Sequence, residues 1–217
     1  MVINEKKTKS MIINFTNNYQ FTTKLLLNNE KVEVVNKMKI LGTTITDKLT
    51  WDENCSLIIA KVNKRMLLLK KVQSFGATRE EMVHLWIVFC RSTLEQSAVV
   101  WASSLTQDNK DDLERTQKCF AKLILRKEYN EDDQNAYEIA LTKLNLQTLE
   151  QRRKKLCLRF AKNCIKNEIL SDLFPENNNV YENKTRFHEK YQVLHADTDR
   201  MRKSRIIYMQ IAEPSYC

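Results

Sequence analysis

Glycine and proline are almost missing from this chain: 217 residues hold two of each, Gly42, Gly76, Pro175 and Pro214. These residues punctuate turns, so their scarcity excludes a many-stranded all-β architecture and predicts long, uninterrupted helices. Cysteine occurs six times (Cys55, Cys90, Cys119, Cys157, Cys164 and Cys217) but never as a C-x-x-C pair, so zinc-finger spacing is absent. Cys157 and Cys164 fall on one helix face, yet no histidine stands nearby to complete a ligand set. Buried free thiols in a reducing compartment are the expectation. No run of 18 apolar residues occurs, and no apolar segment follows a basic start. That predicts neither a membrane span nor a secretion signal, and hence an intracellular place, nuclear or cytoplasmic. Acid is missing over two long windows. Between Glu53 and Glu80 there are six basic residues and no carboxylate; from Arg152 to Lys166 there are seven and, again, none.

What is present follows from those gaps. A formal charge of +9 attracts polyanions, nucleic acid before acidic membrane surfaces. The acidic patch of Glu128, Glu131, Asp132 and Asp133 interrupts this basic character. A hydrophobic fraction of 42% is that of a chain able to bury a core.

Taken in order, residues 10–15 form an apolar run fit for a strand. Residues 22–27 and 31–35 flank Asn28-Asn29-Glu30, a hairpin signal. Residues 39–46 read as the last strand of a small antiparallel sheet, with Gly42 inside it as a kink or a point of close backbone approach. Thr50-Trp51-Asp52-Glu53 has the form of a capping box and opens a helix to about Phe75, stopped by Gly76. On that helix Ile58, Ile59, Val62, Met66 and Leu69 share one face. Lys61, Lys64 and Lys71 line an adjoining stripe, with Arg65 at its border.

Thr78 to Glu81 repeats the capping box, and residues 82–101 are dense enough for a buried central helix broken near Gln96-Ser97. A third helix starts near Asn109, with Leu113, Cys119, Phe120, Leu123 and Ile124 as its apolar members. A shorter one covers 136–142. A long one covers 148–167, with Leu149, Leu156, Phe160 and Ile165 turned inward. Trp51, Trp86 and Trp101, set among apolar neighbours, read as packing residues before stacking platforms. Pro175 and the asparagines at 177–179 mark a linker to a basic, weakly periodic tail. The fold class is α+β, predominantly α, a small N-terminal antiparallel sheet followed by helical bundles.

Several segments, in this order, resemble the C-terminal part of a non-LTR (LINE-type) retrotransposon reverse transcriptase. Asn4-Glu5-Lys6-Lys7-Thr8-Lys9 followed by Met11-Ile12-Ile13-Asn14-Phe15 is similar to the segment that leads into a late palm strand. Ile40-Leu41-Gly42, then Leu49-Thr50-Trp51, resembles the primer grip and the approach to the thumb. Leu144-Asn145-Leu146 with Thr148-Leu149-Glu150-Gln151-Arg152-Arg153 resembles the helical region beyond the thumb. Tyr191-Gln192-Val193 through Arg205-Ile206-Ile207-Tyr208-Met209 resembles the family's basic tail.

The resemblance implies palm strands and a primer-grip-like turn over 1–50 and a thumb-like helical bundle over 51–127. It implies a C-terminal helical region over 128–175 and a basic tail over 176–217. It also implies that Lys39 and Gly42 hold a primer end, while Lys61, Lys64, Arg65 and Lys71 follow the phosphates of a template–primer duplex. Arg152-Arg153-Lys154-Lys155 reads as an RNA contact or a nuclear-localisation patch. Lys7 matches the lysine placed near the leaving pyrophosphate in such polymerases.

The family's Mg²⁺ ions are held by an Asp-Asp pair upstream of the segment that begins here at Asn4, so that pair is expected to be absent. Asp111-Asp112 and Asp132-Asp133 lack its aromatic neighbour and flanking strands, and read as solvated surface carboxylates. Without the metal site Lys7 reads as a relic or an exposed solubilising lysine. The expected function is therefore residual binding of RNA or RNA–DNA hybrid by a catalytically inactive, truncated polymerase, with no cofactor and with self-association through exposed strand edges. Two alternatives share these features: a domesticated nucleic-acid-binding module, and a helical protein-interaction domain whose charge serves solubility.

Overall fold

The computed structural model describes Asn4, residues 7–14, residues 25–174, Met201 and residues 204–212. The end of the first apolar run, residues 22–24, the linker at Pro175, most of the basic tail and Cys217 lie outside these. The chain divides into two compact units, Met1–Leu57 and Ile58–Cys217. As expected, the architecture is α+β and mostly helical, with small antiparallel sheets.

In the first unit the described strands form three separate two-stranded ladders rather than one sheet. β1 (Lys9–Ser10) pairs in parallel with β4 (Glu33–Val34), and Lys9 Nζ lies 3.1 Å from the Glu33 carboxylate. β2 (Leu26–Leu27) and β3 (Glu30–Lys31) form the expected hairpin, its turn narrowed to Asn28-Asn29. β5 (Lys37–Ile40) and β6 (Thr43–Thr46) form a second hairpin around Leu41-Gly42. The single strand expected over 39–46 is thus two strands and a turn. Both hairpins have two-residue loops with positive φ at each central residue, 49° and 67° at the asparagines, 48° and 89° at Leu41 and Gly42. Such primed turns match the right-handed twist of the strands, which is why Asn and Gly occupy three of these four places. Gly42 is the second corner of this turn rather than a kink within a single strand.

Helix α1 (Asp52–Ser74) starts where expected but not by the expected cap. The Thr50 amide donates to Thr46 Oγ1 at 3.0 Å, the two hydroxyls lie 3.2 Å apart, and Glu53 accepts from Lys37 Nζ at 2.7 Å. Each half of the Thr50–Glu53 box therefore serves the β5–β6 hairpin instead. Asn54, 2% exposed, adds a third tie by accepting from the Thr44 amide at 3.1 Å. The other end of α1 is as expected, with Gly76 at φ 91° and its amide donating to the Gln73 carbonyl at 3.1 Å. Nothing crowds a Cβ there, so the backbone angle alone calls for glycine.

In the second unit α2 (Arg79–Leu85) begins with the complete Thr78–Glu81 capping box. It continues through a π-helical segment, Trp86–Arg91, into the short α3 (Ser92–Leu94). Ser97, left-handed at φ 52°, makes the expected break before α4 (Ala98–Trp101). α5 (Gln107–Leu125) is capped by Thr106, earlier than Asn109, and α6 (Ala136–Lys143) follows the acidic turn. α7 (Leu149–Ile165) opens with a second complete box, Thr148–Gln151. α8 (Arg205–Ala212) is a helix within the expected weakly periodic tail, and Ile207 and Met209 are buried. Among the described residues no helix is long and apolar enough to cross a membrane.

The tryptophans are buried, and Trp86 stacks on Phe120 at 4.5 Å between ring centroids. The inward face of α7 is Leu149, Arg153, Cys157, Leu158, Ala161 and Cys164. Leu156 and Ile165 are half-buried and Phe160 is exposed, contrary to expectation. Small side chains explain the shift: Cys157, Ala161 and Cys164 share a core with Phe174 and Met209, where a phenylalanine on the same face would overfill the space. Cys55 and Cys90 are buried as well, while Cys119, expected inside, is exposed; none of the five described cysteines is in a disulfide.

Candidate nucleic-acid interface

Helix α1 separates its side chains sharply. Cys55, Ile58, Val62, Met66 and Leu69 are buried at i, i+3 and i+4 spacing, whereas Lys61, Lys64 and Lys71 are exposed on the opposite side. At a helical rise of about 1.5 Å per residue, those lysines stand roughly 4.5 and 10.5 Å apart along the axis. None of the three takes part in an ion pair among the described residues. Nearby, Arg79 pairs with Glu128 at 2.5 Å, so this cation is not part of the free line.

Three arginines expected on the same interface point elsewhere. Arg65 donates through Nη1 to the Phe89 carbonyl and the Thr93 hydroxyl. It therefore braces the π-helical segment, where the widened turn leaves a carbonyl to be satisfied. Arg152 makes a two-pronged contact with Glu95, Nε at 2.8 Å and Nη2 at 3.0 Å. That hydrogen bond, more than the charge of Glu95, raises the Arg152 pKa against the effect of burial. Arg91 stands 3.7 Å from the same carboxylate, its pKa lowered first by burial and then by the neighbouring Arg152. Arg153 is 3% exposed. It lines a cavity of about 400 Å³ with Lys110, Lys154, Ser103, Gln151 and Tyr208. Arg153 is thus buried in the bundle, while the half-buried Arg152 has its guanidinium engaged by Glu95.

In the first unit Lys39 is exposed on β5 opposite Thr44, and Gly42 forms the hairpin tip beside Leu41, which is 91% exposed. Lys7 is exposed, its amide donating to the Asn4 carbonyl at 3.2 Å.

Sequence reasoning missed the apolar side chains between the lysines of α1. Leu67 and Leu68 are each 64% exposed and Phe75 is 82% exposed. Their signal was readable: positions 61, 64, 68, 71 and 75 alternate by three and four, which is one helix stripe holding cations and apolar groups together.

The two Asp-Asp pairs of this chain lie at exposed or half-buried positions. Asp111 accepts from Gln107 Nε2 at 2.8 Å and Asp112 from Arg115 at 2.6 Å, both along the surface of α5. Asp133 accepts from the Asn135 amide at 2.8 Å and so closes the turn before α6. Among the described residues no group of three His, Cys, Asp or Glu side chains converges on one point. No protein-family model matches this sequence, and neither a curated protein nor a solved structure matches it.

Proposed function

We propose that this chain corresponds to the thumb and C-terminal helical region of a retrotransposon RNA-directed DNA polymerase. Its function is to hold the backbone of RNA or of an RNA–DNA hybrid, and these residues do not themselves carry out nucleotide transfer. One observation carries the reading: Lys61, Lys64 and Lys71 stand exposed along α1 with no ion pair among the described residues, inside a sequence window that contains no carboxylate. Phosphates on a strand laid along the helix meet ammonium groups without competing acids, an attraction blind to sequence and sensitive to salt. Lys39 and Gly42 supply a second place of backbone approach in the N-terminal unit.

The test is fluorescence anisotropy with a labelled RNA–DNA hybrid. Three phosphate contacts correspond to a log–log salt slope of about −2.7, so affinity falls about 20-fold between 50 and 150 mM monovalent salt. Changing Lys61, Lys64 and Lys71 together to Glu abolishes this binding and leaves the helical circular dichroism unchanged. Binding that survives the triple change, or that ignores salt, refutes the assignment. Primer extension by the same preparation with Mg²⁺ or Mn²⁺ yields no product above background; incorporation refutes the inactive reading.

A further inference from the structure

The stripe on α1 is not purely cationic, and this limits what can lie on it. Leu67 and Leu68 flank Lys64 and Lys71 on either side, and the exposed Phe75 follows the last residue of α1, beside the left-handed Gly76. An intact duplex presents phosphates and sugars to a helix laid along its outside. The lysines hold such a duplex by its phosphates alone, and the leucines and the phenylalanine set among them gain nothing from it. An unpaired strand differs, because it carries phosphates along one edge and free base faces along the other. Lysine suits the first, and exposed apolar and aromatic groups suit the second. Charge complementarity and apolar area thus favour the same occupant.

Building on the reading above, we infer that α1 takes single-stranded nucleic acid, with phosphates at Lys61, Lys64 and Lys71 and an unstacked base against the Phe75 ring. Leu68 then supports the sugar or the next base. The binding is sequence-tolerant, since every base has a face to offer. The selected feature is an unpaired segment, either a free strand or the overhang beside a hybrid.

The experiment compares three labelled probes with equal numbers of phosphates: a single strand, a blunt RNA–DNA hybrid, and a hybrid with an unpaired overhang. The single strand and the overhang probe bind about tenfold more tightly than the blunt hybrid, as one stacked base implies. Phe75→Ser removes that preference and leaves the salt slope and the blunt-hybrid affinity unchanged. Because Phe75 is exposed, this substitution opens no cavity, and circular dichroism checks that the fold is kept. Equal, salt-dependent affinity for all three probes overturns the inference while leaving the phosphate-binding reading intact. Absence of salt-dependent binding to any probe overturns both. Should Phe75→Ser leave all three affinities untouched, the Phe75 ring takes no base and the inference fails.

Discussion

Leu41 occupies a left-handed backbone position at the tip of the β5–β6 hairpin, where its side chain is almost wholly exposed. For an L-residue with a Cβ this conformation costs roughly 1–2 kcal/mol, and no burial of the leucine side chain offsets it. Asparagine tolerates the same angles and occupies them twice in the neighbouring turn, at Asn28 and Asn29. Leu41→Asn is therefore expected to stabilise the hairpin by about 1 kcal/mol. Hydrogen exchange at the β5 and β6 amides reads this as roughly fivefold greater protection. Protection that stays level or drops would mean that Leu41 is held by something other than the turn. The residue scale is also where the sequence is hardest to read. Arg65, Arg152 and Lys61 all look like surface cations, yet the two arginines are half-buried on distant acceptors and Lys61 is exposed. An arginine side chain reaches far and carries a planar set of donors, so it goes to the carbonyl or carboxylate that tertiary packing brings near. Those partners lie 24 residues away for Arg65 and 57 for Arg152, beyond any local pattern.

At the scale of elements, helix ends divide into those decided locally and those decided from afar. The boxes at Thr78 and Thr148 form as their sequences require, because all the groups involved lie within one turn. At α7 a distant residue adds to the local box. Glu114 of α5 accepts from the Leu149 amide with both oxygens, at 3.1 and 3.0 Å, and from the Tyr137 hydroxyl at 2.5 Å. Gln117 Nε2 donates to the same hydroxyl at 3.0 Å and to the Gln147 carbonyl at 2.9 Å. One polar cluster thus joins α5, α6 and the start of α7. Removing its centre with Glu114→Ala leaves a part-buried amide and a hydroxyl without their acceptor. A loss of about 2–4 kcal/mol is expected in urea unfolding.

The same cluster sets an alkaline limit. Burial, then the charge of Glu114, then the hydrogen bond to it raise the Tyr137 pKa, so the folded state keeps a proton that the unfolded chain releases near pH 10. Its contribution is complete below that pH and is lost progressively as pH rises above it. Tyr137→Phe should flatten the decline in urea midpoint between pH 9 and 11; an equally steep decline in the variant would place the cause elsewhere.

At the scale of the whole molecule, a chain poor in glycine and proline builds short ladders at one end and helices through the rest. Each two-stranded ladder keeps outer edges without partners among the described strands, and Leu26, Val34 and Ile40 on those strands are exposed. Such edges template pairing with another copy. Light scattering should show association that grows with concentration, and changing Leu26 and Val34 to Lys should reduce it. A monodisperse monomer at all concentrations, before any substitution, would remove this expectation. With a formal charge of +9, association is also expected to ease as salt screens repulsion between copies, opposite in sign to the salt response of nucleic-acid binding.

The amino-acid sequence by itself determined the helical class, the capping box at Thr78, the break at Ser97, the glycine stop at Gly76 and the outward lysines of α1. Each depends on groups within about two helical turns, where backbone geometry and periodicity leave few choices. Tertiary structure alone decided that Thr50 and Glu53 serve the β5–β6 hairpin, that Arg65 and Arg152 engage remote acceptors, and that Arg153 is buried. It also decided that small side chains rather than Phe160 face the core of α7. In every such case the competing partner is remote along the chain, and only packing brings it within hydrogen-bond or van der Waals reach.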